Sequence, residues 1–175
     1  MSPLTNALIS YWHRLPSESP AARRKALDTT RERIRAGLEP PAALVPFALG
    51  DVDESIVIAA TRDYVAAAAS GAAATDEAII DVTDWVRRGL ALNRGAVFGA
   101  LLASGDERFE QRLAGLRLTL SPGEIETACR VVGPATGRVA VFVQGWLELL
   151  EDDTPQRGCR ALSGALEAGL SARAA

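Results

Sequence analysis

The sequence predicts an all-α fold, and three observations carry that prediction. Alanine supplies 32 and leucine 21 of the 175 residues, against 19 valines and isoleucines together, a balance that favours helix over strand. Apolar residues recur at steps of three and four in nearly every segment, the period of one helical face. Short clusters of Gly, Pro, Asp and Ser separate those segments, and no set of alternating runs offers partners for a sheet. About ten helices are expected, in one all-α domain over residues 1–175, a length that suits a single domain of roughly 100–200 residues.

In the first segment, residues 1–17, Leu4, Leu8, Tyr11 and Leu15 fall on one face and make an amphipathic N-terminal helix. Pro16 and Ser17 break it. Pro20 opens a second helix at a favourable first-turn position. From Ala21 to Leu38 that helix is highly charged, with a thin stripe of Leu27, Ile34 and Leu38. Gly37 and Pro40-Pro41 end it. Ala42–Leu49 reads as a short apolar helix closed by Gly50-Asp51, with Asp51 or Asp53 as N-cap of the next. That next helix, Val52–Ser70, is apolar nearly all round and belongs in a core.

Gly71–Ala74 is a break, and Thr75 caps Asp76–Leu92, whose stripe is Ile79, Val82, Val86 and Leu90. Gly95–Ser104 is apolar and short. Glu107–Leu118 carries Phe109, Leu113 and Leu116 on one face. Ser121-Pro122 with Glu124 starts a helix that runs to Val132. Arg138–Glu151 is apolar except at Gln144 and Glu148; its Val-Ala-Val-Phe-Val run, 139–143, has strand-like composition, so a strand is the alternative there. Gln156–Leu170 is the last amphipathic helix, with Cys159, Leu162, Leu166 and Leu170 on one face, and 171–175 is expected to fray.

Charge and cysteine usage exclude several function classes. The net charge is −3, without the basic footprint of a nucleic-acid binder. The charge is uneven: residues 1–40 carry net +3 and residues 41–86 net −7. The basic helix is therefore expected to pack on the acidic middle or to recruit an acidic partner. Cys129 and Cys159 lack any zinc-ligand spacing and read as small buried hydrophobes in a reducing, cytoplasmic setting. No signal peptide and no membrane span is read, so no membrane partner is expected.

No catalytic constellation appears either. His13 is the only histidine, Lys25 the only lysine, and Lys25 sits in the run Arg23-Arg24-Lys25 where nothing desolvates it. Neither a nucleophile elbow nor a phosphate loop occurs. Asp76, Glu77, Asp81 and Asp84 form an acidic cluster that suits a helix N-terminus better than a metal. The expectation is a non-enzyme without cofactor or metal.

One pattern occurs twice. A short apolar helix, then Gly-Asp, then an acidic first turn and a longer helix is written at Gly50-Asp51 and again at Gly105-Asp106. On these residues the chain resembles the HEAT and armadillo class of helical repeats, over Ala42–Ser70 and Asn93–Leu118. The spacing of 55 residues exceeds the ~40–47 of that class, and the helix Asp76–Leu92 accounts for the surplus. The resemblance implies a HEAT-like superhelix or, failing regular stacking, an irregular helical bundle. It implies a scaffold or adaptor that binds a protein partner, or a second copy of itself.

Two sets of site residues follow. Arg87, Arg88, Asn93 and Arg94 cluster beside Trp85 at one helix junction, and arginine and tryptophan are enriched at binding hot spots, so these are the expected partner-binding residues. The alternative is a small-molecule pocket between the apolar helices, lined by Ile56, Phe142, Gln144 and Trp146.

Overall fold

Serine and proline set where the helices begin. In the computed structural model, which describes residues 3–69, 83–84, 86–87, 89, 91–151 and 156–174, α1 spans Pro3–Arg14 and α2 spans Pro20–Arg35. Ser19 caps α2 by accepting from the Ala22 amide, and Pro20 fills the first turn, where a missing N–H costs nothing. Pro41–Leu44 forms a 3₁₀ turn and Val45–Gly50 the short helix α3; α4 spans Glu54–Ala69. Then come α5 (Arg94–Ala103), α6 (Glu107–Leu116), α7 (Pro122–Val132), α8 (Gly137–Glu151) and α9 (Gln156–Ala174). Beside these nine α-helices the described residues hold three short 3₁₀ segments, further helical residues at 83, 84, 86 and 87, and turns, with no strand among them, so the fold is all-α. Residues 139–143, the expected strand alternative, are helical within α8.

The chain divides into two compact units, Met1–Asn93 and Arg94–Ala175. In the first, α1 lays Leu8 and Tyr11 against α3, and both side chains are buried. Gly50 is what lets them in: a β-carbon there would stand 2.8 Å from Leu8 Cδ1 and 3.0 Å from Tyr11 Cδ1. Tyr11 meets Phe47 edge-to-face at 5.0 Å between centroids. Ile56, Val57, Ala60 and Tyr64 extend this core along α4.

The second unit is built on aromatic and glycine contacts. Phe98 lies 5.1 Å from Trp146 and 6.3 Å from Phe142 between ring centroids. The Trp146 indole N–H donates to the Arg117 carbonyl at 3.1 Å, which satisfies its polar edge in the core. Gly95 and Gly99 on α5 admit the backbone of α7: added β-carbons would lie 2.5 Å from Glu124 O and 2.6 Å from Ala128 O. α7 itself starts with a full capping box between Ser121 and Glu124.

Several sequence expectations change. Leu38 falls beyond the end of α2 and is exposed rather than part of an apolar stripe, because Gly37 turns the chain at φ +71°. The short helix expected over Ala42–Leu49 is split, with Pro46 at the start of a one-and-a-half-turn α3. α9 continues past Leu170 through Ala174, where a frayed tail was expected; Ala172, Arg173 and Ala174 are good helix formers, and Arg173 suits the negative end of the dipole. Cys129 is buried, but Cys159 is only half-buried. Of the expected helix Asp76–Leu92, Thr83, Asp84, Val86 and Arg87 are helical, with Thr83 and Val86 buried. Its other positions in 76–82, together with Trp85, Arg88, Leu90 and the break at Gly71–Ala74, lie outside the described residues.

Candidate functional site

One member of the charged run on α2 is buried, while its neighbours Arg24 and Lys25 are exposed. Arg23 is 5% and Asp51 0% exposed. The guanidinium donates Nε to Asp51 Oδ2 at 2.8 Å and Nη2 to Oδ1 at 3.2 Å. Its Nη1 donates to the Glu18 carbonyl at 2.7 Å. Asp51 also accepts from the Tyr11 hydroxyl and, at 2.7 Å, from the Asp53 amide. Burial, and then the bond to Asp51, push the Tyr11 hydroxyl well above its ordinary range. Each donor of this cluster meets an acceptor, so it is a clamp joining α1, α2 and α3 rather than a reactive centre. Two further links run from α2 to the acidic segment: Arg24 to Asp53 at 3.2 Å and Arg31 to Asp63. The expected packing of the basic helix on the acidic middle is therefore present in these three pairs.

The expected partner-binding residues divide between local roles. Arg87 is exposed and paired with Asp84 one turn back. Asn93 is half-buried at the end of the first unit. Arg94 opens the second unit; its Nη2 donates to Thr119 Oγ1 at 2.9 Å and its Nη1 stands 3.4 Å from Glu124 Oε1. Arg88 lies outside the described residues. The alternative pocket residues are also distributed. Ile56 is buried in the first unit, and Phe142 and Trp146 in the core of the second. Gln144 is exposed and donates to Glu148 at 3.0 Å.

Gln144 nevertheless lines a groove, of about 520 Å³, formed by α8 and α9. α8 supplies Val141, Gln144, Gly145 and Glu148; α9 supplies Leu166, Gly169, Leu170 and Arg173. Two facts open it. The buried face of α9 runs through Gly158, Leu162, Ala165 and Gly169, which places Leu166 and Leu170 to one side of the core. The buried face of α8 runs through Phe142, Val143, Trp146 and Leu150, which leaves Val141 outside. Val141 is 73% and Leu170 67% exposed. Gly169 packs on the Ala135 carbonyl, and the Ala135 amide donates to Ala165 O at 2.9 Å. These contacts hold the C-terminal half of α9 beside the start of α8, so the two helices are antiparallel. Glu148 then marks one end of the groove and Arg173 the other.

Sequence reading missed these residues for different reasons. Val141 lay in an apolar helix and Leu166 and Leu170 on the apolar face of an amphipathic one, all three assigned to the core. Glu148 was one polar exception in its helix, and Arg173 lay in the segment expected to fray. The signal was present: Val141, Gln144 and Glu148 share one face at steps of three and four, and two of the three are polar.

A second groove, of about 710 Å³, lies on the other side of α9 against α7 and carries Arg130, Arg157 and Arg160. Arg157 is neutralised by an ion pair with Glu126. Cys129 lines the same groove, and burial pushes its thiol up to about 12, so it stays protonated and unreactive at neutral pH. Among the described residues no three His, Cys, Asp or Glu side chains converge to hold a metal ion, and no helix is long and apolar enough to cross a membrane. No known family, curated protein or solved structure matches the chain.

Proposed function

We propose that the protein is a non-enzymatic binding module that docks a helix of a protein partner in the α8–α9 groove. One observation carries the reading: two apolar side chains, Val141 and Leu170, stand largely exposed on facing helices beside charged groups at each end. A helix laid in such a groove buries apolar anchors at three- and four-residue steps. The short-then-long helix pair of the helical-repeat pattern is present in the first unit, α3 to α4, but in the second unit α5 and α6 have ten residues each, so the resemblance adds little to this reading. A cytoplasmic setting accords with two free cysteines.

A small apolar ligand is the second reading. The groove volume of about 520 Å³ falls within the ~300–1,000 Å³ of small-molecule sites.

The test is the intact native mass of the protein from its own cells, for the wild type, Val141→Glu and Arg87→Ala. Both positions are exposed, so neither substitution disturbs a core. A stoichiometric protein companion or a multiple of the chain mass, lost in Val141→Glu and kept in Arg87→Ala, is the expected result. A small added mass that leaves on denaturation favours the second reading. A bare chain in the wild type, or a companion lost only in Arg87→Ala, overturns groove docking.

A further inference from the structure

The two charges of the groove have no ion pair among the described residues, whereas most acids of the second unit do. Asp106, Glu107, Glu110, Glu124 and Glu126 each have an arginine partner within the second unit. Glu148 accepts only the Gln144 amide, and Arg173 makes no ion pair among the described residues. Both are exposed, and they flank the Val141–Leu166–Leu170 stripe at opposite ends.

A surface with an apolar centre, one acid at one end and one base at the other is complementary to itself. We propose that the groove's occupant is a second copy of this chain, in a two-fold dimer that sets Arg173 of each copy against Glu148 of the other. The two-fold axis crosses the line between Glu148 and Arg173 at right angles. Rotation about it exchanges the two ends, so both ion pairs form at once while the apolar stripes meet in the middle. This is the isologous interface that a closed dimer requires: the same patch on both subunits, each residue meeting its complement. A partner of strongly biased charge gains less here, because the groove's own charges cancel. The inference rests on the groove being a protein-docking surface, and it names the partner.

Charge reversal tests it without touching the core. Glu148→Arg alone faces Arg173 with an arginine at both ends of the interface, and Arg173→Glu alone faces Glu148 with a glutamate at both ends. Like charges juxtaposed across an interface are costly, so each variant is expected to dimerise at least about tenfold more weakly than the wild type, about 1.4 kcal/mol. When the two variants are mixed, every pair is again one arginine and one glutamate. Sedimentation and native mass are expected to show a 1:1 heterodimer at near wild-type affinity, and the double variant Glu148→Arg/Arg173→Glu is expected to dimerise by itself.

Wild-type chain that stays monomeric up to high micromolar concentration overturns the dimer. So does a dimer indifferent to both reversals, or one that mixing fails to restore. A monomer that still captures a companion in the cellular experiment, lost in Val141→Glu, leaves groove docking standing and removes only the second copy as occupant. Helical circular dichroism of each variant separates loss of pairing from loss of fold.

Discussion

Gly50-Asp51 and Gly105-Asp106 are the same dipeptide after the same kind of helix, yet the two units use them for different work. Gly50 keeps a helical backbone and serves by lacking a side chain, so that Leu8 and Tyr11 reach α3. Gly105 touches nothing within 4 Å of an added β-carbon and serves by its φ of +65°, which stops α5. Asp51 is wholly buried and ties Arg23, Tyr11 and the Asp53 amide together. Asp106 is half-buried, caps α6 through the Arg108 amide at 3.0 Å and pairs with the Arg108 guanidinium at 2.8 Å. In the first unit the N-cap duty passes to Asp53, which accepts from the Ser55 amide at 3.0 Å. A sequence repeat therefore need not be a structural one; what surrounds the dipeptide decides which of its properties is used.

The largest effect expected from this contrast is at the two aspartates. Asp51→Ala strands a buried guanidinium and a buried tyrosine hydroxyl, and breaking such a pair costs about 3–5 kcal/mol. Asp106→Ala removes one half-buried cap and costs about 1 kcal/mol. Urea unfolding of the two variants measures both. Equal losses would mean that the buried cluster is no more than a cap, and would end the distinction drawn between the units.

The glycines sharpen it next. Gly99→Ala drives a methyl group to 2.6 Å from Ala128 O and 2.9 Å from Val131 Cβ, where backbone must move. Overpacking of this kind costs about 1–3 kcal/mol. Gly105→Ala meets open space and pays only for a left-handed backbone, about 1 kcal/mol. A Gly99→Ala protein as stable as the wild type would show that α5 and α7 are not held at that distance.

These examples mark what the sequence made legible. Helix existence was readable nearly everywhere, because the 3.6-residue period and the Ser-Pro starts at 19–20 and 121–122 are local signals. Two things were not. Burial of Arg23 depends on Asp51, 28 residues away, and a basic run carries no local mark of a distant carboxylate. The groove depends on which side of each apolar helix faces the core. Val141 and Val143 have the same side chain in the same run, yet one is exposed and the other buried, and the run itself does not mark which side meets the core. The junction Arg87–Arg94 looked like a hot spot by residue type, but Arg94 is engaged with Thr119 and Glu124 of its own unit.

A smaller effect is shared by the two units and depends on pH. Hydrogen bonds from Ser55 hold the Asp53 carboxyl below the usual aspartate range, and the Arg108 guanidinium does the same for Asp106. A carboxyl whose folded pKa is depressed contributes stability that is complete above its unfolded value, ~3.9. That contribution is lost as pH falls through the lower folded value. Both units are thus expected to weaken in acid, beginning near pH 4. Asp53→Asn keeps a capping oxygen and flattens the acid limb of the stability curve, as does Asp106→Asn. An acid limb unchanged in the double variant would assign the loss to other carboxylates.

The last and smallest effect runs the other way. Gly145 sits mid-helix in α8 on the groove wall, and an added β-carbon there meets only Arg117 Nη1, at 3.7 Å, an ordinary contact. Nothing in the backbone requires glycine at this position, since its φ is not among the positive ones. Gly145→Ala is therefore expected to stabilise the protein by up to about 1 kcal/mol, the helix-propensity difference between the two residues. Gly99, equally helical but on α5, gives the opposite sign. A destabilised Gly145→Ala protein would mean that α8 stands closer to its neighbours than these distances allow. A stabilised one that also binds its partner more weakly would show that the open space beside Val141 serves binding at the expense of stability, and that the cost is paid by the α8 wall of the groove.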